Sequence, residues 1–283
     1  MALAALAACA DSNSTSAPAP DGTARAAVTA PANPDADDVP YDVGRPDVVF
    51  EMPAELVEIS GLTVLSNGNL GAVQDEDGLL FEIDVSTGRV VSSEPFGKDG
   101  DYEGVEVTPD ALWVLRSDGR LYEIRRMDDG LRSEAIETEL SGRNDAEGLG
   151  YDAAGNRLLI ALKDHPGKGL GDVRSVFGFD LATRTLSATP AYVLDRAVLD
   201  TETETFKPSA LAVRPGTGEI YILSSVKKAL LVLDADGTIR AAVSLPIAFY
   251  PQPEGIAFAP DGTLYISNEG AGGSATILRF SPR

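Results

Sequence analysis

The chain has 283 residues and carries 23 Lys and Arg against 44 Asp and Glu, a net charge of −21. Phosphate contacts need clustered cations, so nucleic acid and anionic membrane surfaces are excluded as natural partners. No run is long enough to span a bilayer, and a single cysteine, Cys9, permits no internal disulfide.

Residues 1–9 are apolar and Ala-rich and end in Leu6-Ala7-Ala8-Cys9, the pattern of a bacterial lipobox with Cys9 as the lipidated residue. The basic stretch that opens a signal peptide is missing, so the segment reads as a truncated lipoprotein signal, or as a chance Ala-rich start. Residues 10–44 are Ala, Pro, Ser, Thr and Asp with few bulky apolar side chains, a composition that cannot bury enough surface to fold and suits a flexible tether. The folded part is expected over 45–283. A lipid on Cys9 would be the sole membrane contact, and Ala10 rather than Asp at the next position favours the outer membrane and a periplasm-facing protein.

From residue 47 onward, short β-branched and aromatic runs alternate with turn signals. Asp47-Val48-Val49-Phe50-Glu51 is followed by Leu62-Thr63-Val64-Leu65, then Ser66-Asn67-Gly68-Asn69, then Leu70-Gly71-Ala72-Val73. The next unit runs Val105-Glu106-Val107, Thr108-Pro109-Asp110, Leu112-Trp113-Val114-Leu115, and the last Ile256-Ala257-Phe258, Ala259-Pro260-Asp261-Gly262, Leu264-Tyr265-Ile266. Asn-Gly and Pro-Asp-Gly between such runs signal hairpins, because Gly accepts positive φ and Pro presets the turn. A third strand follows in most units, as in Leu79-Leu80-Phe81-Glu82-Ile83 and Leu230-Leu231-Val232-Leu233, and a weaker fourth after it.

Each unit opens on a recurring phrase. Asp101-Tyr102-Glu103-Gly104, Asp145-Ala146-Glu147-Gly148 and Gln252-Pro253-Glu254-Gly255 share a Glu, and Glu58-Ile59-Ser60-Gly61 and Lys207-Pro208-Ser209-Ala210 carry Ser in its place. Ser60, Glu103, Glu147, Ser209 and Glu254 stand 43, 44, 62 and 45 residues apart, a period that means a repeat architecture. Four antiparallel strands per unit and five phrases predict an all-β, five-bladed propeller. The last unit lacks a fourth strand, which residues 47–51 would supply to close the ring and remove an exposed edge. Six blades would need another phrase. The surplus in the third repeat reads instead as loops at 165–172 and 199–206.

In such a blade the start of the first strand and the end of the second share one face. The phrases therefore converge with Gln74-Asp75-Glu76, Arg116-Ser117, Lys163-Asp164, Ser224-Ser225 and Asn268-Glu269 on one channel mouth. Crowded carboxylates repel unless neutralised, by Arg116, Lys163 and Lys207 or by a divalent cation. Ca2+ suits an all-oxygen set with flexible geometry. Zinc suits it less, since the one histidine, His165, and Cys9 lie elsewhere. The expected metal ligands are Glu58, Asp75, Glu76, Glu103, Glu147, Glu254 and Glu269. The alternative is that Glu103, Glu147 and Glu254 accept backbone amides and lock adjacent blades. His165 reads as a loop residue and Trp113 as packing between blades.

The ordered set Glu58-Ile59-Ser60-Gly61-Leu62, Val73-Gln74-Asp75-Glu76-Asp77-Gly78, Gly100-Asp101-Tyr102-Glu103-Gly104, Ala146-Glu147-Gly148-Leu149, Ser209-Ala210-Leu211-Ala212 and Gln252-Pro253-Glu254-Gly255-Ile256 resembles the SdiA-regulated family of bacterial propellers. The resemblance implies five blades, calcium in the channel region, an envelope location and no established reaction. Arg116-Ser117 and Lys207 depart from the family pattern and bring positive charge to the mouth. Two functions follow as expectations. One is a monomeric, calcium-binding platform for an envelope protein or small ligand at the channel mouth. The other is a calcium-dependent hydrolase of esters, lactones or phosphoesters, with Glu76 or Glu269 as general base.

Overall fold

The computed structural model describes residues 39–201 and 203–283. Cys9 and most of the expected tether lie outside the described residues.

The strands are β1 (Val48–Glu51), β2 (Ile59–Val64), β3 (Leu70–Gln74), β4 (Leu79–Ile83) and β5 (Val90–Pro95), then β6 (Tyr102–Val107), β7 (Leu112–Arg116), β8 (Leu121–Met127) and β9 (Gly130–Ile136). There follow β10 (Ala146–Asp152), β11 (Arg157–Leu162), β12 (Val173–Asp180), β13 (Thr185–Leu186), β14 (Tyr192–Asp195) and the short helix α1 (Arg196–Leu199). The chain ends with β15 (Ala210–Val213), β16 (Ile220–Ser224), β17 (Ala229–Leu233), β18 (Ile239–Ser244), β19 (Pro253–Phe258), β20 (Leu264–Asn268) and β21 (Thr276–Phe280). They form five antiparallel sheets: β2–β5, β6–β9, β10–β13 with β14 also on β12, β15–β18, and β19–β21 completed by β1. This is the five-bladed propeller that the repeat predicts.

Val48–Glu51 pairs with β21 from Arg279 to Thr276, so the first strand closes the last blade. The surplus of the third repeat is spent on loops, α1 and an outer edge divided between β13 and β14.

Burial follows radius. Middle strands such as β3, β16 and β17 are buried along their whole length, which explains their largely apolar character. The outer strand β18 alternates buried and exposed residues, as a half-solvated strand must. Trp113 packs with Phe179 at 5.7 Å between ring centroids, joining the second and third blades.

In four of the five blades the recurring phrase is a β-bulge. Pairing jumps from Ile59 to Gly61, Tyr102 to Gly104, Ala146 to Gly148, and Pro253 to Gly255, leaving Ser60, Glu103, Glu147 and Glu254 as the extra residue on each inner strand. A bulge re-aims one side chain while the strand continues. The glycine that follows is where neighbouring blades come closest. A Cβ on Gly104 would lie 2.6 Å from the Leu149 Cβ, and one on Gly148 2.8 Å from the Leu211 Cβ and 2.9 Å from its amide nitrogen.

Residues 39–44, assigned to the tether by composition, are part of the folded body. Val39, Tyr41 and Val43 are buried among side chains of the fourth and fifth blades. The Tyr41 hydroxyl donates to the Gly262 carbonyl at 2.6 Å, the Tyr250 hydroxyl to Val43 O at 2.8 Å, and the Arg283 amide to Pro40 O at 2.8 Å. Alternation of Val39, Tyr41 and Val43 is a strand-like pattern too short to stand out beside the Pro and Asp around it.

Gly148→Ala should lower stability by about 1–3 kcal/mol through overpacking against the fourth blade. Gly142→Ala, at a glycine whose Cβ would meet nothing within 4 Å, should leave it unchanged. Urea denaturation of the two variants beside the parent checks this, and equal midpoints would refute the close-approach account.

Candidate functional site

The residues in the shared Glu/Ser slot of the five phrases divide by chemistry. Ser60 Oγ donates to Tyr102 O at 2.6 Å, and Ser209 Oγ to Pro253 O at 2.8 Å. Each acceptor precedes the bulge glutamate of the next blade, so the serines are blade locks. Glu103, Glu147 and Glu254 are aimed elsewhere. They surround a narrow axial space together with Leu62, Val105, Leu149, Leu211 and Ile256, one aliphatic residue from each blade. Its volume, about 10 Å³, is near the minimum for one water. Among the described residues, no backbone amide donates to any of the three glutamates.

One cation reaches this inner ring from the second strands. Lys163 Nζ pairs with Glu147, whose side chain is 4% exposed. Burial opposes the charge on Lys163, but Glu147 more than offsets it and holds the amine above its usual range. Arg116 turns back onto Asp118 in its own hairpin, and Lys207 pairs with Asp164. Of the expected neutralising trio, only Lys163 touches the inner acids.

The carboxylates therefore remain in excess. Burial, then Glu147 and Asp101, push Glu103 far above the carboxylate range. Glu147 and Glu254 are raised by burial against the pull of Lys163. Towards the rim, burial followed by Glu58, Glu76 and Asp101 raises Asp75 to about 6. Burial followed by Glu254, Asp75 and Glu58 raises Glu269 to about 7. Glu58 and Glu76 are exposed at the edge. Ser117 donates to Asp101, and the Gln252 amide donates to Glu269.

Two buried carboxylate oxygens at this mouth have no hydrogen-bond partner, Asp75 Oδ1 and Glu254 Oε2. Ser209, Ser225 and Gln252 approach Glu254 without completing a bond to Oε2. Orphaned acceptors among like charges are costly. A hard cation fits them in donor chemistry, since every available atom is an oxygen. Among the described residues, however, no three Asp, Glu, His or Cys side chains are gathered closely enough to cage a metal. A cation here would complete its shell with carbonyls and water, as calcium permits.

Sequence reasoning missed Lys228. It stands in the turn after β16 at positive φ (52°) and donates to Ser225 O, and burial lowers its amine below the usual range against the pull of Glu254 and Glu269. The Lys227-Lys228 pair in an acidic chain was the available signal.

The model of the family described as SdiA-regulated matches residues 50–271. The chain belongs to that family. Its fold is also similar to solved structures of known enzymes. A glutaminyl cyclase of Myxococcus xanthus superimposes with a TM-score of 0.59 at 16% identity, over 84% of this chain and 95% of that one. The PQQ-bound aldose sugar dehydrogenase of Streptomyces coelicolor gives 0.53 at 12% identity, over 84% and 98%. A luciferin-regenerating enzyme gives 0.52 at 13%, over 84% and 95%. Identities this low show a shared propeller and leave the chemistry of each to itself.

The mouth makes stability depend on pH with a definite sign. Asp75 and Glu269 bind protons more tightly folded than unfolded, so the native state holds the extra protons between the ordinary values of 3.8 and 4.5 and the folded values of about 6 and 7. Stability should fall as pH rises through that window. Thermal melts in chelator across it should show the decline, and Asp75→Asn with Glu269→Gln should make it shallower, the remainder coming from the other raised acids. A parent curve that rises instead would refute the crowding of these acids.

Proposed function

We propose that this SdiA-regulated propeller is a cell-envelope binding platform that takes Ca2+ at its carboxylate-lined mouth, and that a ligand or partner docks on the cation-loaded end. The observation that carries this reading is the pair of orphaned acceptors, Glu254 Oε2 and Asp75 Oδ1, within a group of acids that Lys163 and Lys228 do not balance. Asp75 and Glu254 would hold the ion with Glu269, and Glu103 would contribute from the inner ring. Bound calcium would neutralise the mouth and offer open positions to an oxygen-bearing ligand. The lipobox reading adds a lipid on Cys9 as the attachment to the envelope.

Because these acids are raised, calcium must displace protons to bind. Calorimetric titration of the chelator-stripped chain should show binding with proton release, seen as heats that differ between buffers of different ionisation enthalpy. Glu254→Gln and Asp75→Asn should each weaken it at least tenfold, about 1.4 kcal/mol or more. Absence of binding at millimolar calcium would remove the ion from the proposal.

A hydrolase reading has one observation in its favour. Glu269 sits partly exposed at the mouth with its carboxyl raised to about 7, where a general base works best at neutral pH. Calcium-dependent turnover of aryl esters, lactones or phosphoesters that disappears in Glu269→Gln would establish it. No turnover of any of the three classes would leave the platform alone.

A further inference from the structure

The channel has a second end, chemically unlike the first. Below the aliphatic constriction, all five inner strands open into a cavity of about 890 Å³, within the range of small-molecule sites. Its wall takes one residue from the end of each inner strand: Val64, Val107, Tyr151, Val213 and Phe258. The lining is mainly apolar, and its charged groups are few. Arg157 is paired with Asp152, and Arg214 with Glu219.

Glu106 is the exception. It lines this cavity from β6, and among the described residues no Lys, Arg or His pairs with it. Its Oε1 accepts from Thr63 Oγ1 at 3.1 Å and from the Val107 amide at 2.8 Å, while Oε2 accepts only a long 3.3 Å bond from the Tyr151 amide. These donors come from three blades and fix the carboxylate in place. A carboxylate offers about four acceptor positions, so Oε2 keeps capacity for a further donor. Burial raises Glu106 to about 7 with no cation to oppose it. The corresponding residues of the other blades are Thr63, Gly150, Ala212 and Ala257, so the acid is not part of the repeat.

We propose that this cavity is a second binding site, for a small organic cation: a protonated amine carried on an apolar or aromatic body. The amine meets Glu106 and the body fills the space between Val213, Phe258 and Tyr151. A cation is preferred over an anion because both arginines already have carboxylate partners and Glu106 has none. The overall charge of −21 adds a long-range attraction for the same sign of ligand. The site is independent of calcium and lies at the other end of the axis from it.

The test titrates the full chain with phenethylammonium and with its neutral isostere 2-phenylethanol, by calorimetry in chelator. The ammonium should bind at least tenfold more tightly than the alcohol, and Glu106→Gln, which keeps an acceptor for Thr63 and Val107, should reduce it to the alcohol's level. Val213→Trp, which narrows the cavity from a different blade, should weaken both probes. It also keeps the test decisive should Glu106→Gln fail to fold. Glu254→Gln should change neither. Equal affinity for the two probes, ammonium binding that survives Glu106→Gln or Val213→Trp, loss of binding in Glu254→Gln, or no binding at millimolar probe would each overturn the proposal.

Discussion

Five inner strands must approach one axis without colliding, and that crowding governs the rest of the molecule. Backbones come close enough that Gly61, Gly104, Gly148 and Gly255 have no room for a Cβ. The fourth blade meets the same constraint with Ala210, the largest residue any inner strand places there. A strand pressed against its neighbours cannot aim a long side chain sideways, so the preceding residue bulges out of the pairing instead. In four blades the phrase is thus one backbone device: a bulge that frees a side chain, then a small residue that lets the next blade in.

What the freed side chain does depends on its reach and its chemistry. Serine ties its blade to the next through a carbonyl, at Ser60 and Ser209. The three glutamates face the axis instead, and Lys163 pairs with one of them, Glu147. Locks and site are therefore interchangeable at the level of the backbone and distinct in chemistry. A hydroxyl and an acid occupy the same place in the ring, the first contributing rigidity and the second crowding carboxyl groups round the axis.

This explains which parts of the molecule could be read from the sequence. The period, the blade count and closure by residues 47–51 were legible because each rests on local signals repeated at fixed spacing, namely turn residues and β-branched runs. The convergence of acids on one mouth followed from strand direction alone. Partner choice was not legible: nothing in the order of residues sends Arg116 to Asp118 and Lys163 to Glu147, since both stand at the end of a second strand. Lys228 was missed because its position depends on a left-handed turn residue. The packing of Val39, Tyr41 and Val43 was hidden by a composition that reads as linker. Glu106 was visible as an acid in an apolar strand, but its meaning needed the cavity it lines.

The segment from Val39 to Val43 also fixes a direction. It reaches the propeller beside Gly262 and Arg283, at the end of the axis where the inner strands finish. Any attachment made upstream of Val39 pulls on that end, as a stem holds a flower. The acidic mouth lies at the opposite end of the axis from that point of entry, and the apolar cavity lies beside it. A ligand arriving at one end meets a chemistry it cannot share with a ligand at the other, because Leu62, Val105, Leu149, Leu211 and Ile256 keep the channel shut between them.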